Sequence, residues 1–213
     1  MADPESPEVI PRFLALGDSY TIGQSVEPSE RWPVQLARRL QEAQVQIVEP
    51  ENIARTGWTT SELSKAIEAA DLLGPYELVI LMIGVNDQFR GLGIDDYRLE
   101  FAALLRKAVK FARDRPSNVV VVSTPDWGVT PFARGLDRQQ IAGEIDEFNM
   151  VAQEETASVG ARFVDVTGIS REAGQRPSLI ALDGLHPSGE MYSAWVDLIL
   201  PEALDIVQRP APK

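Results

Sequence analysis

The sequence contains no cysteine and a single histidine. The first absence excludes disulfides, thiolate nucleophiles and cysteine-ligated zinc, and leaves the redox state of the compartment unmarked. The second, together with the lack of any His-Glu-x-x-His pattern, argues against a metal centre, so neither metal nor cofactor is expected. Positive charge is scarce as well: 20 Lys and Arg face 32 Asp and Glu, for a net charge of -12. A nucleic-acid backbone or an anionic membrane surface needs a basic face, so neither is expected as a partner. Long apolar runs are missing too. The longest, Leu78 to Val85 with Gly84 inside it, is far short of the roughly 18 residues a membrane helix requires, so no membrane insertion is expected. Residues 1–8 are acidic and proline-rich, not basic then apolar, and no signal peptide is visible. The expected location is cytoplasmic, with a secreted or periplasmic one open if a leader precedes this stretch in the natural chain. None of these features reports an oligomeric state.

What remains is an ordinary globular composition, 44% apolar and 24% charged over 213 residues, long enough for one domain with a sizeable core. The expected division is a flexible tail over 1–11, one domain over 12–208 and a short tail over 209–213. Phe13–Leu16, stopped by Gly17, reads as a buried strand running into a tight turn at Asp18-Ser19. Trp32, Leu36 and Leu40 recur at four-residue spacing and predict a helix from about Ser29, a possible cap, to Ala43. Val45–Val48 reads as a second strand. Thr59 and Glu62 make a capping box ahead of the helical face Leu63, Ala66, Ile67, Ala70. Leu78–Ile83 has the continuous apolar pattern of a central strand. A loop to Gly93, a helix over about 95–112, a strand over Val119–Val122, a helix from about Asp137 and a strand over Arg162–Val166 follow. The last helix is capped by Ser188 and interrupted by Pro201. Strands alternating with helices five times predict an α/β fold with a parallel sheet covered on both faces. Right-handed crossovers then bring the loops after the strands, with Ser19, Gly57, Asn86 and Trp127, to one edge.

Ser19 is a candidate nucleophile, which a neighbouring base must activate. His186 is the only imidazole, and Asp183, three residues earlier across a glycine-containing turn, is placed to orient it. No Gly-x-Ser-x-Gly pentapeptide occurs, which argues against the α/β-hydrolase scaffold. Asp18 and Asp87 read as loop-holding carboxylates that accept backbone hydrogen bonds. Tyr20, Trp58, Phe89, Trp127 and Phe132 lie in or beside the strand-end loops, where they either line a substrate pocket or pack in the core; Trp32 and Trp195 are assigned to the core.

Gly17-Asp18-Ser19, Gly57, Gly84-Val85-Asn86-Asp87 and Asp183-Gly184-Leu185-His186-Pro187 follow one another over nearly the whole chain. On these four blocks the sequence resembles the SGNH hydrolase superfamily, the GDSL-type esterases and lipases. The resemblance implies a three-layer α/β/α sandwich of flavodoxin-like type with about five parallel strands. It also implies Ser19 as nucleophile, His186 as general base and acid, and Asp183 as third triad member. The oxyanion hole it implies consists of the Ser19 and Gly57 backbone N–H groups and the Asn86 amide. Tyr20 departs from the family's leucine after the serine, and Ala54 stands where glycine or serine is common. The function expected is hydrolysis of carboxylic esters through an acyl-enzyme, with short-acyl esters, aryl esters or thioesters as substrates. Carbohydrate O-acetyl esterase and lysophospholipase activity are the alternatives within that chemistry. A non-catalytic module binding a glycan or acyl chain is the alternative outside it.

Overall fold

The computed structural model describes residues 10–70, 72 and 74–209. Most of the two expected tails, 1–9 and 210–213, lies outside the described residues. Within them the chain runs β1 (Phe13–Gly17), α1 (Ser19–Ile22), α2 (Trp32–Glu42), β2 (Glu51–Ala54), α3 (Thr60–Ala69) and β3 (Leu78–Met82). It continues through α4 (Val85–Phe89), α5 (Ile94–Phe111), β4 (Val119–Val122), α6 (Arg138–Val159), β5 (Arg162–Val164), α7 (Thr167–Glu172) and α8 (Gly189–Val207). The five strands form one parallel sheet in the order β2-β1-β3-β4-β5. Chain order therefore reverses beside β1, and the crevice at the carboxyl ends of β1 and β3 is where such sheets place ligands.

Successive side chains of a strand face opposite ways, and the two faces build two cores. Phe13, Ala15, Ile80, Met82 and Val120 pack with Trp32, Leu36 and Leu40 of α2 and with Trp195 and Ile199 of α8. Leu14, Leu16, Val79, Leu81 and Val121 pack with Leu63 of α3, Phe101 and Leu104 of α5, and Phe148 of α6. Each fully buried Val, Leu, Ile or Phe among them contributes about 1.5–3 kcal/mol of transfer free energy.

The second strand differs from expectation. Val45–Val48 is not a strand: Val45 N–H returns to Leu40 O and closes the end of α2, and Ile47 drops into the core. The strand is the polar Glu51–Ala54, half-exposed because it forms the sheet edge. The helix expected from Ser29 begins at Trp32, because Pro28–Glu30 forms its own 3-10 turn, closed by Glu30 Oε2 accepting from Glu27 N–H at 3.1 Å. The loop expected between Ile83 and Gly93 contains α4, and the expected fifth strand stops at Val164 ahead of α7. Pro201 does not interrupt α8. Burial of Ile199, Ala203 and Ile206 on both sides of it outweighs the hydrogen bond that proline cannot donate.

Candidate active site

Strand β1 ends in Gly17 because nothing larger fits. A Cβ there would sit 2.1 Å from Thr21 Oγ1 and 2.4 Å from the Met82 carbonyl oxygen. The close approach lets α1 start directly at the end of β1, with Thr21 packed on Gly17 and the Met82 carbonyl of β3 beside it. Asp18 caps α1, its Oδ1 accepting from Tyr20 N–H at 3.0 Å, and Ser19 becomes the first helical residue, whose own N–H is not used within the helix.

The far end of the chain meets Ser19 through a closed loop. Ile180 and Pro187 pair across its neck, Ala181 N–H donates to His186 O at 2.7 Å, and Gly184, at φ +74, makes the turn. His186 Nε2 lies 3.0 Å from Ser19 Oγ, and His186 Nδ1 lies 2.6 Å from Asp183 Oδ2. Asp183 is itself fixed: its Oδ1 accepts from Leu185 N–H (2.9 Å) and His186 N–H (3.0 Å), and its Oδ2 from Ser25 Oγ (2.6 Å). Partial burial pushes the Asp183 carboxyl up, but the Ser25 hydroxyl, the Leu185 N–H and His186 outweigh it and hold the group well below the usual carboxylate range. An ionised Asp183 requires Nδ1 to carry the imidazole proton, which leaves Nε2 as acceptor for the Ser19 hydroxyl.

Gly57 and Asn86 reach the same place from β2 and β3. Gly57 has φ +82, a left-handed conformation that favours glycine, and its carbonyl accepts from Arg90 Nη2 at 2.5 Å. The Asn86 amide donates to Trp58 O at 2.9 Å and approaches Asp18 Oδ2 at 3.4 Å. Below them, both oxygens of Asp87 accept from Thr60 N–H, at 3.0 and 3.2 Å, tying α4 to the start of α3. Asp18 and Asp87 thus hold the loops through backbone N–H groups, as expected. Burial pushes Asp18 up to about 7, opposed by the Tyr20 N–H and reinforced by the Asp87 charge. Burial also pushes Asp87 up to about 6, opposed by the hydrogen bond from Thr60 N–H.

A pocket of about 220 Å³ opens beside the serine, with Ser19, Gly57, Asn86 and His186 on one side and Phe89, Trp127 and Phe132 on another. The three rings contact one another with centroids 5.4, 6.0 and 6.2 Å apart. Trp127 is buried and fixed by its Nε1–H, which donates to Gln88 Oε1 at 2.8 Å, whereas Phe89 and Phe132 are about half exposed. Tyr20 lines the pocket and packs against the imidazole, ring centroids 5.5 Å apart. Among the described residues no group of three or more His, Asp or Glu gathers closely enough to hold a metal ion.

A sequence model of the GDSL-like lipase/acylhydrolase family matches residues 15–194. The chain belongs to this family. It is accordingly a carboxylic ester hydrolase. No curated protein sequence matches it significantly. Several solved structures share the fold of this GDSL-like acylhydrolase. TesA is 19% identical with a TM-score of 0.72, the match covering 92% of this chain and 99% of that one. A lipase/acylhydrolase from Enterococcus faecalis is 21% identical with a TM-score of 0.71, covering 95% and 98%. A variant of an acetyl-xylooligosaccharide esterase from Geobacillus is 18% identical with a TM-score of 0.67, covering 96% and 98%.

In this acylhydrolase Ser19, Gly57, Asn86, Asp183 and His186 come together at one crevice, and Tyr20, Phe89, Trp127 and Phe132 line the adjoining pocket. Trp58 does not. It is half-buried against the second of the two cores, and its carbonyl accepts from Asn86. Neighbourhood in sequence placed Trp58 beside Gly57 but says nothing about where an indole points. Ser25 and Arg90, which hold Asp183 and Gly57, carry no sequence signal, since each acts through a contact with a distant part of the chain.

Proposed function

We propose that this acylhydrolase cleaves short-acyl and aryl carboxylic esters through an acyl-enzyme on Ser19. Ser19 Oγ attacks the ester carbonyl carbon while His186 Nε2 takes its proton, and Asp183 stabilises the imidazolium that forms. The oxyanion accepts hydrogen bonds from the Ser19 and Gly57 N–H groups and from the Asn86 amide. His186 then gives the proton to the departing alkoxide, and the acyl group remains on Ser19. Water, deprotonated by His186, attacks that ester, and the carboxylic acid leaves as Ser19 recovers its proton. The observation that carries this reading is the unbroken chain Ser19 Oγ, His186, Asp183, at 3.0 and 2.6 Å, opening on an apolar pocket. The test is turnover of a p-nitrophenyl ester series from acetate to decanoate by the native protein and by Ser19→Ala. The reading requires loss of activity in the variant and a fall in kcat/KM for the longer acyl chains. Equal rates for the two proteins would contradict it.

Carbohydrate deacetylation is the second reading. It is favoured by the half-exposed Phe89 and Phe132 beside the pocket, which offer apolar surface to a sugar ring, and one fold relative is named as an acetyl-xylooligosaccharide esterase. Faster acetate release from acetylated xylo-oligosaccharides than from p-nitrophenyl acetate, at matched concentration, would favour it over the first.

A further inference from the structure

The triad carboxylate has a partner that none of the four sequence blocks contains. Ser25 lies 158 positions from Asp183, yet its hydroxyl donates to Asp183 Oδ2 at 2.6 Å, the oxygen that also faces His186 Nδ1. With Leu185 N–H and His186 N–H on Oδ1, four donors fill the lone-pair sites of one carboxylate. The second observation is backbone strain. Ser25 has φ +68, a left-handed conformation that residues with a Cβ adopt rarely and glycine adopts freely. Gly23, two residues earlier, takes the same region as the cap of α1, so a glycine at 25 would ease this loop further. The chain instead holds a strained serine whose side chain is spent on the triad. Its neighbour Gln24 accepts from Thr56 Oγ1 at 2.5 Å, so the segment leaving the nucleophile helix is tied at once to the Asp183 loop and to the Gly57 loop.

We infer that Ser25 is a positioning residue of the triad: its hydroxyl locks the Asp183 carboxylate in the rotamer that aims His186 Nε2 at Ser19 Oγ. The inference rests on the ester-hydrolase reading above, and it assigns Ser25 no contact with substrate. Removal of the hydroxyl slows both proton transfers through His186 and leaves substrate binding alone.

Two variants separate this role from a structural one. Ser25→Gly removes the hydroxyl and relaxes the backbone; Ser25→Ala removes the hydroxyl and keeps the strain. Stability therefore differs between them, with the glycine variant unfolding at higher urea. kcat on p-nitrophenyl butyrate falls about tenfold in both, since one of several charge-assisted hydrogen bonds is replaced by water, and KM is unchanged. The single imidazole of this chain gives an unambiguous proton NMR signature. The low-field His186 Nδ1–H resonance of the native protein moves upfield in both variants. A glycine variant with native kcat, a loss carried by KM alone, or kcat values that follow stability would each overturn the inference. Ser19→Ala is measured alongside. If it is inactive while Ser25→Gly keeps native kcat, this inference alone fails; if Ser19→Ala keeps native turnover, the reading it rests on fails first.

Discussion

Asp18 carries a pH dependence of stability that can be worked through with its sign. Asp18 is 1% exposed and directly precedes Ser19, and burial raises its carboxyl from an ordinary 3.8 to about 7. A carboxyl raised in the folded state binds its proton more tightly there than in the unfolded chain. Between pH 4 and pH 7 the native state therefore holds more protons, and stability falls as pH rises through that window. The full difference is about 4 kcal/mol, complete above about pH 7 and absent below about pH 3. Asp18→Asn removes the titration. It keeps an oxygen to accept Tyr20 N–H, because asparagine caps helices as well as aspartate does. It sets an amide nitrogen against Asn86 Nδ2 where Asp18 Oδ2 now lies 3.4 Å away, at a cost of about 1 kcal/mol. The variant is accordingly about 1 kcal/mol less stable than the native protein below about pH 3 and about 3 kcal/mol more stable at pH 8, and the two curves cross at about pH 4.5. Urea denaturation followed by tryptophan fluorescence at half-unit pH intervals measures both curves. A variant that stays below the native protein across the whole range would refute the reasoning.

Two further substitutions test the oxyanion side and the strand end. Asn86→Ala lowers kcat about 10²–10³-fold with little change in KM, because in the proposed mechanism the amide serves the transition state and not the bound ester. Steady-state kinetics on p-nitrophenyl butyrate decide it, and a loss under threefold would count against the hole as drawn. Gly17→Ala forces a Cβ against Thr21 Oγ1 and the Met82 carbonyl, backbone on one side and a buried hydroxyl on the other, and costs about 3 kcal/mol. A urea midpoint equal to that of the native protein would show that α1 can move away from the end of β1.

Much of this architecture is legible in the sequence, and what is not has identifiable physical causes. Strands β1, β3 and β4 are buried on both faces, so Phe13–Leu16, Leu78–Met82 and Val119–Val122 read as apolar runs. The edge strand has one neighbour and half-exposed faces. Glu51-Asn52-Ile53-Ala54 consequently shows no such run, while the more apolar Val45–Val48 imitates one. Short α4 and α7 are missed because five or six residues give too little periodicity to see. At the site, Ser19, Gly57 and Asn86 stand just after β1, β2 and β3, and Asp183 and His186 in the loop ahead of α8, all in short glycine-containing blocks that are visible in the sequence. The residues that hold those groups are not. Ser25 and Arg90 sit in polar stretches of no special composition, and their partners Asp183 and Gly57 are 158 and 33 positions away. The position of Asn86 between Trp58 O and Asp18 Oδ2 likewise depends on β1, β2 and β3 lying side by side, which no local pattern encodes.

The central claim is that folding brings one imidazole to within proton-transfer distance of one hydroxyl and makes that hydroxyl nucleophilic. A fluorophosphonate probe reports this directly by intact mass and peptide mapping. The folded native protein gains one phosphonyl group, on Ser19, within minutes; Ser19→Ala gains none, and His186→Gln gains it orders of magnitude more slowly. Folded native protein whose Ser19 stays unmodified, or labelling that proceeds at the same rate without His186, would contradict the account.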